Sequence, residues 1–392
     1  MIIKSKRMFK SALIVLAGLL VLSCVEEVET IPLISSSSRS DDILIVEAVI
    51  TNLLERQEIK LSLLSELGTE IIIPASNANI TVKDDLDNSF VFIESEPGIY
   101  LSQNEFSAQQ NVHYELLVEL STGETIESDK VVLNGISSIQ DLVVRKTISS
   151  NGINGIGIFA TQSRNSNDNT VRYSYDETYK IIAPSWAPFE FVILNEFQFD
   201  VQARQQEERI CFNTVVSNDI ILADNLESES GLEVQLVRFL GKDNFIISHR
   251  YSILVKQFLH TRRGYDFYRT LDSFSSNENL FTEVQPGLIE GNVSSTNSSL
   301  KVIGLFDVVS VDERRVFFNY EDFFPDEPIP EYPFNCRIFS PTITDEIFNG
   351  GVEYVGENDN PREGELPIFV TTRACGDCTL LGTNIIPDFW EE

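Results

Sequence analysis

Five cysteines are the residues of this 392-residue chain whose type and spacing point most directly to chemistry. The first, Cys24, directly follows Val21-Leu22-Ser23, and a small residue before a cysteine at the end of an apolar run is the pattern that bacterial lipoprotein processing recognises. The run itself follows a basic head and is about a dozen residues long, too short for a bilayer core that needs about 20. We therefore predict cleavage before Cys24, acylation of its thiol and anchoring in a lipid bilayer.

The other four cysteines are even in number in a chain with an export signal, so disulfides are the expected state. These four residues are Cys211, Cys336, Cys375 and Cys378. A bridge inside Cys375-Gly-Asp-Cys378 would close a tiny loop, whereas bridges from this pair to the two others close loops of roughly 40 to 170 residues and restrain the unfolded chain more. We predict two such cross-links, and the sequence leaves both connectivities open.

Metal binding and redox catalysis are two other uses of such cysteines. A four-cysteine zinc site needs two close pairs, and only one is present. A thioredoxin-like motif should open a helix after a strand, whereas this pair lies near the chain end among turn formers. We predict no metal site and no redox role.

Histidines are few, and the usual catalytic motifs are missing from the sequence. His113, His249 and His260 form no His-Glu-x-x-His motif, and there is no Gly-x-Ser-x-Gly elbow or phosphate-cradling glycine loop. His113 begins a predicted strand and His260 precedes a predicted helix, so both are expected to be surface or cap residues. No catalytic residue and no cofactor is predicted.

One aromatic loop is a candidate binding site. Pro184-Ser-Trp186-Ala-Pro188-Phe189 carries one of two tryptophans. Aromatic rings beside polar groups form platforms for sugars or peptides, so Trp186 and Phe189 are the candidate binding residues. The alternative is that Trp186 packs over the edge of a sandwich.

The charge of the chain limits its partners. Removal of the signal takes away four of 29 basic residues and none of the 60 acidic ones, which leaves 25 against 60, or −35. Nucleic acid is excluded as a partner, because phosphate binding needs a basic face. Acidic loops such as Asp84-Asp85-Leu86-Asp87-Asn88 lack the ligand spacing of an EF-hand and are interpreted as solvated surface.

These residues must be positioned by a mainly β fold. We predict a lipoprotein signal peptide at 1–23, a lipidated flexible tether at 24–42, an antiparallel Ig-like or transthyretin-like β-sandwich at 43–135 and a larger, mostly β domain at 136–392. The evidence for the sandwich is a series of period-two runs about ten residues apart, of which Ile43-Leu-Ile-Val-Glu-Ala-Val-Ile50 is the first.

The second domain is predicted to contain at least one helix among its strands. Thr261 can cap a segment in which Phe267, Tyr268, Leu271 and Phe274 recur on one helical face. Strands are predicted at Leu300–Phe306 and, separately, at Arg315–Phe318.

The end of the chain, Cys375-Gly-Asp-Cys378-Thr-Leu-Leu-Gly382-Thr-Asn384-Ile-Ile-Pro387-Asp388-Phe389-Trp390, closely resembles the ending of a Bacteroidota lipoprotein family catalogued as domain of unknown function 4249. Further segments are similar in the same order. They are Arg172-Tyr-Ser-Tyr-Asp-Glu177-Thr-Tyr179, Tyr265-Asp-Phe-Tyr268-Arg-Thr-Leu271, Gln285-Pro286, Gly291-Asn292-Val293 and Val302-Ile-Gly304-Leu-Phe306. Departures are Phe306, where members often carry Tyr, and Leu381, where they carry a second glycine.

The resemblance implies a location and a partner rather than a reaction, because the family has no assigned catalytic residues. Its members are typically encoded beside TonB-dependent receptors, and acidic residues such as Glu26, Glu27 and Glu29 resemble the signal for display on the outer membrane surface. The expected function is a non-enzymatic, SusD-like accessory of an outer-membrane β-barrel transporter. The alternatives are a structural subunit of a barrel-assembly or type 9 secretion machine, and a surface glycan or peptide hydrolase.

Overall fold

Alternating apolar residues build the first strands of this computed structural model, which describes residues 43–64, 72–133, 135–163, 170–224, 232–275, 291–298 and 300–392. Cys24, the tether and Gln285-Pro286 lie outside these residues. In the first strand Leu44, Val46, Ala48 and Ile50 point into a core. The strands up to residue 133 are β1 (Ile43–Thr51), β2 (Glu58–Leu64), β3 (Ile72–Pro74), β4 (Asn79–Asp84), β5 (Ser89–Glu96), β6 (Ile99–Ser102), β7 (His113–Glu119), β8 (Thr125–Ser128) and β9 (Val131–Val132).

The rest of the described chain is also mostly strand. Its strands are β10 (Ile139–Ile148), β11 (Asn154–Ser163), β12 (Thr170–Ile182), β13 (Phe189–Asn195), β14 (Gln198–Ala203), β15 (Ile210–Val216), β16 (Ile221–Asp224), β17 (Leu232–Gly241), β18 (Arg250–Leu259), β19 (Val293–Ser295), β20 (Lys301–Asn319), β21 (Val352–Glu357) and β22 (Ile368–Thr372). The α-helices are α1 (Arg262–Ser275), α2 (Asp345–Phe348) and α3 (Arg373–Gly376), with short 3-10 turns at Phe245–Ile247, Tyr320–Asp322 and Cys378–Leu380. The predicted mainly β fold with few helices is confirmed.

One long sheet runs through the molecule in the order β15-β12-β18-β20-β1-β2-β6-β5-β4-β7-β8-β19. Its pairings are antiparallel except between β1 and β20, which run parallel from Ile43 opposite Lys301 to Thr51 opposite Val309. The sheet β10-β11-β17 and the hairpins β13-β14 and β21-β22 are separate from it. All described residues fall within one compact unit.

The 19-residue strand β20 is shared by two halves of this sheet. Its first half pairs with β1, and its second half, from Ser310 to Asn319, pairs with β18. Residues 304–311 are buried without the alternation of a surface strand, because the strand is covered on both faces there. The two strands predicted at Leu300–Phe306 and Arg315–Phe318 are therefore one.

Three hydrophobic cores lie along this framework. One fills the first sandwich and includes Val293, Phe306 and Val308 in addition to residues of β1 to β9. A second lies where β10, β11 and β17 cover β12 and β18, and a third, small core lies under the hairpin β13-β14. The boundary between residues 135 and 136 stays a prediction. Among the described residues, no helix is long and apolar enough to cross a membrane.

Two of the motifs that resemble the family meet in space. The side chain of Asn292 accepts from the Phe306 backbone N–H and donates to its carbonyl, both at 2.8 Å, as a neighbouring strand would. A Cβ at Gly291 would lie 1.4 Å from the carbonyl oxygen of Gly304, so only hydrogen fits there. The glycine at position 291 therefore reflects a close contact between its backbone and that of Gly304.

The predicted helix is present as α1. Thr261 caps it, since its Oγ1 accepts a hydrogen bond from the backbone N–H of Gly264 at 3.1 Å. Tyr265 is buried, and Phe267, Tyr268 and Leu271 are half-buried against the long sheet. The helix thus lies next to the centre of β20.

Candidate functional site

The four cysteines form two disulfides, Cys211–Cys378 and Cys336–Cys375, with loops of 167 and 39 residues. Both bridges run from the C-terminal pair to a distant partner, as predicted, and the structure selects one of the two open connectivities. Within the described ranges, no group of three or more His, Cys, Asp or Glu side chains is arranged to hold a metal ion.

The disulfides fix the end of the chain along the outer strand β15. The backbone of Phe212 exchanges hydrogen bonds with that of Thr383, at 2.8 and 2.9 Å. Gly382 allows this approach, because a Cβ there would lie 2.4 Å from the Phe212 carbonyl oxygen. Trp390 packs edge-on against Phe212 at 4.8 Å between ring centroids. The C-terminal segment thereby covers a strand edge that could otherwise pair with another chain.

The predicted aromatic platform is divided in the structure. Trp186 is half-buried and packs against the second core, with the Arg209 guanidinium 5.9 Å from its ring centroid. This position of Trp186 agrees with the alternative expectation, in which the tryptophan packs on the sandwich and does not form a binding platform. Phe189 is 44% exposed and touches the ring of Tyr354 edge-on, at 6.4 Å between centroids. Whether either residue binds a ligand stays a prediction.

Phe189 opens the hairpin β13-β14, whose inner face packs on the third core. Phe191 and Phe199 meet edge-on at 5.3 Å between centroids, and Phe191 contacts Tyr354 at 5.7 Å. Phe199 also contacts Phe348 of α2 at 6.0 Å. An isolated two-stranded hairpin is marginally stable in water, so these aromatic contacts hold it in place.

Arg204 fixes the base of this hairpin. Its Nε donates to the carbonyl of Ala187 at 3.0 Å, and its guanidinium pairs with Glu208 and with Glu353 of β21, the latter at 2.7 Å. Burial raises the pKa of Glu353, and Arg204 opposes that rise by stabilising the carboxylate. The arginine therefore joins both ends of the hairpin to the neighbouring sheet.

The other end of the hairpin is apolar and exposed. Ile193, Leu194 and Phe197, which we call the hairpin tip, are 46%, 58% and 84% exposed. The Asn195 side chain shapes the turn by accepting from the Phe197 N–H at 2.9 Å. Three large apolar side chains grouped at the end of a firmly attached hairpin are a feature of surfaces that bind another molecule.

A second cluster is buried where β12, β18, β20 and α1 meet. His260 Nδ1 lies 2.7 Å from Asp307 Oδ2, and both side chains are fully buried. Arg172 Nε donates to His260 Nε2 at 3.3 Å, and its guanidinium lies between the rings of Phe258 and Tyr268, 4.3 and 4.7 Å from their centroids. The expectation that His260 is a surface or cap residue is wrong.

The protonation of this cluster follows from its donors. Arginine can only donate, so Nε2 of His260 accepts and Nδ1 carries the proton that it gives to Asp307. The other oxygen of Asp307 accepts from the Thr261 hydroxyl at 3.0 Å. Gly264 makes room, since a Cβ there would lie 2.1 Å from Asp307 Oδ2. An aspartate and a histidine also pair in hydrolases, but there Nε2 receives the proton of a nucleophile, and here Arg172 occupies it.

Burial lowers the pKa of His260, Arg172 lowers it further, and Asp307 opposes both effects. The pKa of His260 is therefore lower in the folded state than its unfolded value near 6.5. As the pH falls through 6.5, the unfolded chain binds more protons than the folded one, and this difference destabilises the folded state. We expect the free energy of unfolding to fall between pH 7 and pH 5, and His260→Gln to flatten that fall in urea titrations. Burial also lowers the pKa of His249, so His249→Gln should flatten the same fall, and an unchanged slope in H260Q would contradict the assignment of His260.

The hairpin tip and the buried cluster were both missed by sequence reasoning. The available signal for the tip was Phe191-Val-Ile-Leu194 followed by Phe197, an apolar run on both faces of a short strand. The signal for the cluster was Asp307 within an otherwise apolar strand. A single buried carboxylate requires partners, and the sequence does not say which residues supply them.

Comparisons with known proteins identify one family and several distant solved structures. The model of the family described as Domain of unknown function (DUF4249) matches residues 28–315. No curated protein matches the chain in sequence. A trypsin-activated alpha-2-macroglobulin from Escherichia coli shares 10% identity over 59% of this chain and 15% of that one, with a TM-score of 0.20. A DUF4785 family protein from Legionella pneumophila shares 10% identity over 54% of this chain and 51% of that one, with a TM-score of 0.16. The chain thus spans about half or less of the length of these two solved structures.

Proposed function

The chain belongs to the family described as Domain of unknown function (DUF4249), and from that premise we propose that it is a non-enzymatic accessory protein, lipid-anchored at the surface of the outer membrane. In this role it sits on a TonB-dependent transporter and helps to capture or admit the substrate of that barrel. The observation that carries the proposal is the hairpin tip, because an exposed apolar group on a fixed base is suited to binding another protein.

Three other observations support this proposal. The basic and apolar N-terminal run that ends at Cys24 has the sequence pattern of a lipid-anchored exported protein. The two disulfides suit an oxidising compartment. The long β framework holds its binding surface on rigid elements, as recognition sites require.

The buried cluster bears on the hydrolase alternative. Nε2 of His260 is paired with Arg172 and Nδ1 with Asp307, so both ring nitrogens are engaged. An imidazole in this state joins β12, β18 and β20 and has no ring nitrogen left for a substrate. This observation favours a structural role for His260, the histidine whose pairing with an aspartate is most similar to a catalytic arrangement.

Purification of native complexes tests the proposal. Membranes solubilised in mild detergent and affinity-purified through this chain should yield a TonB-dependent receptor in stoichiometric amount. Recovery of barrel-assembly or secretion subunits would replace the proposal with the structural-subunit alternative. A monomer that hydrolyses glycans or peptides would replace it with the enzyme.

Cys24→Ala is the matched control for this purification. Without acylation the protein should leave the membrane fraction, since within the described residues no other segment is an apolar helix long enough to anchor it. We expect a variant protein that stays in the supernatant after a carbonate wash and no longer copurifies with the receptor from membranes. A variant that still sediments with membranes would refute the lipid anchor.

A further inference from the structure

The path of the sheet places the hairpin far from the point at which the anchored segment joins the body. Ile43, the first residue of β1, lies opposite Lys301 at the beginning of β20. The 19 residues of β20 extend from there over roughly 60 Å at about 3.3 Å per residue. The end of β20 at Asn319 is therefore the far end from the tether.

The hairpin is attached at this far end. β12 is antiparallel to β18, which is antiparallel to β20, so β12 and β20 run in the same direction. Tyr179 near the end of β12 lies opposite Tyr251, which lies opposite Phe318. β13 begins seven residues after β12 ends, and it measures about 20 Å.

The charge of the hairpin argues against the anchoring bilayer as the binding partner of the tip. Segments that bind lipid surfaces carry Lys and Arg on the polar face beside their apolar residues, and the hairpin Phe189–Ala203 contains neither. A protein surface is therefore the better partner.

The charges around the tip define the chemistry of that protein. The hairpin Phe189–Ala203 contains Glu190, Glu196 and Asp200 and no Lys or Arg. Residues 335–392, which carry the third core and the disulfides, contain 11 acidic and three basic residues. One of these bases, Arg373, lies 3.7 Å from Glu353 and 3.6 Å from Asp377. The apolar tip thus belongs to an acidic hairpin that packs on an acidic segment, and such a surface attracts a basic one.

We propose that the hairpin tip docks into an apolar pocket on a partner protein, and that Lys and Arg residues rim this pocket. This inference rests on the proposed function, since it names the surface through which the accessory protein binds. Phe197 is the central contact, because at 84% exposure it has the most apolar area to bury. A second copy of this chain is a poor partner, because both copies carry the same excess of acidic residues.

Site-specific photocrosslinking in intact cells tests the inference. A photoreactive phenylalanine analogue at Phe197 should give one protein adduct whose crosslinked peptide contains apolar residues beside Lys or Arg. The adduct should be at least tenfold weaker in 0.5 M salt, as expected for opposite charges in water. Leu86, 57% exposed in the loop between β4 and β5, is the matched control position and should give no such adduct.

Adducts with lipid, with lipopolysaccharide or with a second copy of this chain would overturn the inference, as would a protein adduct without basic residues or no adduct at all. Phe197→Asp should also reduce the partner recovered with the full chain at least tenfold, and Leu86→Asp should not. A basic protein partner other than a TonB-dependent receptor would support the docking surface and reject the proposed function. A copurified TonB-dependent receptor that never crosslinks to position 197 would support the proposed function and reject the docking surface.

Discussion

Replacing Asp307 with alanine is expected to lower the free energy of unfolding by about 3 to 5 kcal/mol, the usual cost of removing one partner from a buried charged pair. The carboxylate accepts from His260 Nδ1 at 2.7 Å and from the Thr261 hydroxyl at 3.0 Å. Both donors would be left without an acceptor, and the charge of Arg172 would lose the carboxylate that offsets it. Urea or guanidinium unfolding followed by circular dichroism measures the change.

Two further variants make this result interpretable. Asp307→Asn keeps the shape of the side chain and one acceptor oxygen, so we expect a smaller loss, about 2 kcal/mol. Asp359→Ala removes an exposed carboxylate and should change the free energy of unfolding by less than about 0.5 kcal/mol. A loss below about 1 kcal/mol in D307A would show that the cluster does not hold β12, β18 and β20 together.

Removing the longer disulfide should have a comparably large effect. In the chain-entropy model, a bridge that closes 167 residues stabilises the folded state by about 5 kcal/mol at 25 °C. The double variant Cys211→Ser, Cys378→Ser avoids a free thiol and should therefore lose about that much. The C-terminal segment should then be released from β15, and limited proteolysis should cut it before the body of the protein.

The shorter disulfide is the internal comparison. Its 39-residue loop predicts a loss of about 4 kcal/mol for Cys336→Ser, Cys375→Ser. This variant keeps the bridge to β15, so the segment that contains Thr383 should remain resistant to protease. Equal proteolysis of the two double variants would contradict the role assigned to the longer bridge.

Most strands of the first sandwich could be predicted from the sequence because one face of each strand is buried and the other is exposed to solvent. Such strands alternate with a period of two, and β1 is the clearest case, with Leu44, Val46, Ala48 and Ile50 in the core. The parallel partner of β1 could not be predicted, since β20 begins 258 positions later. Pairing over such a distance leaves no local pattern.

β20 shows why local patterns can also mislead. Asp307, Ser310 and Asp312 lie between the two predicted strands and interrupt the apolar pattern. The structure keeps the strand continuous because each of these side chains has a partner. Asp307 binds His260, Ser310 Oγ accepts from the Ser137 N–H at 2.8 Å, and Asp312 accepts from the Ile139 N–H at 2.7 Å.

The candidate sites were predictable to different degrees. Loop entropy correctly favoured the long disulfides but could not choose between the two connectivities, because the choice depends on where Cys211 and Cys336 lie in space. The aromatic residues Trp186 and Phe189 lie in or directly before the hairpin that carries the exposed tip. Their sequence could not show that Trp186 packs inward while the exposed residues follow in the hairpin, since exposure depends on which elements cover a strand.

The parallel contact between β1 and β20 has a consequence for how this protein folds. Residues 43 and 301 must meet before the central sheet can form, so a very long loop has to close first. Contacts of such high sequence separation slow folding, because the entropy of closure is lost before the contact is gained. A chain that emerges from its amino terminus presents β1 long before β20 arrives. For that interval one edge of β1 lacks its parallel neighbour, and the sheet cannot close before residues 301–309 have emerged.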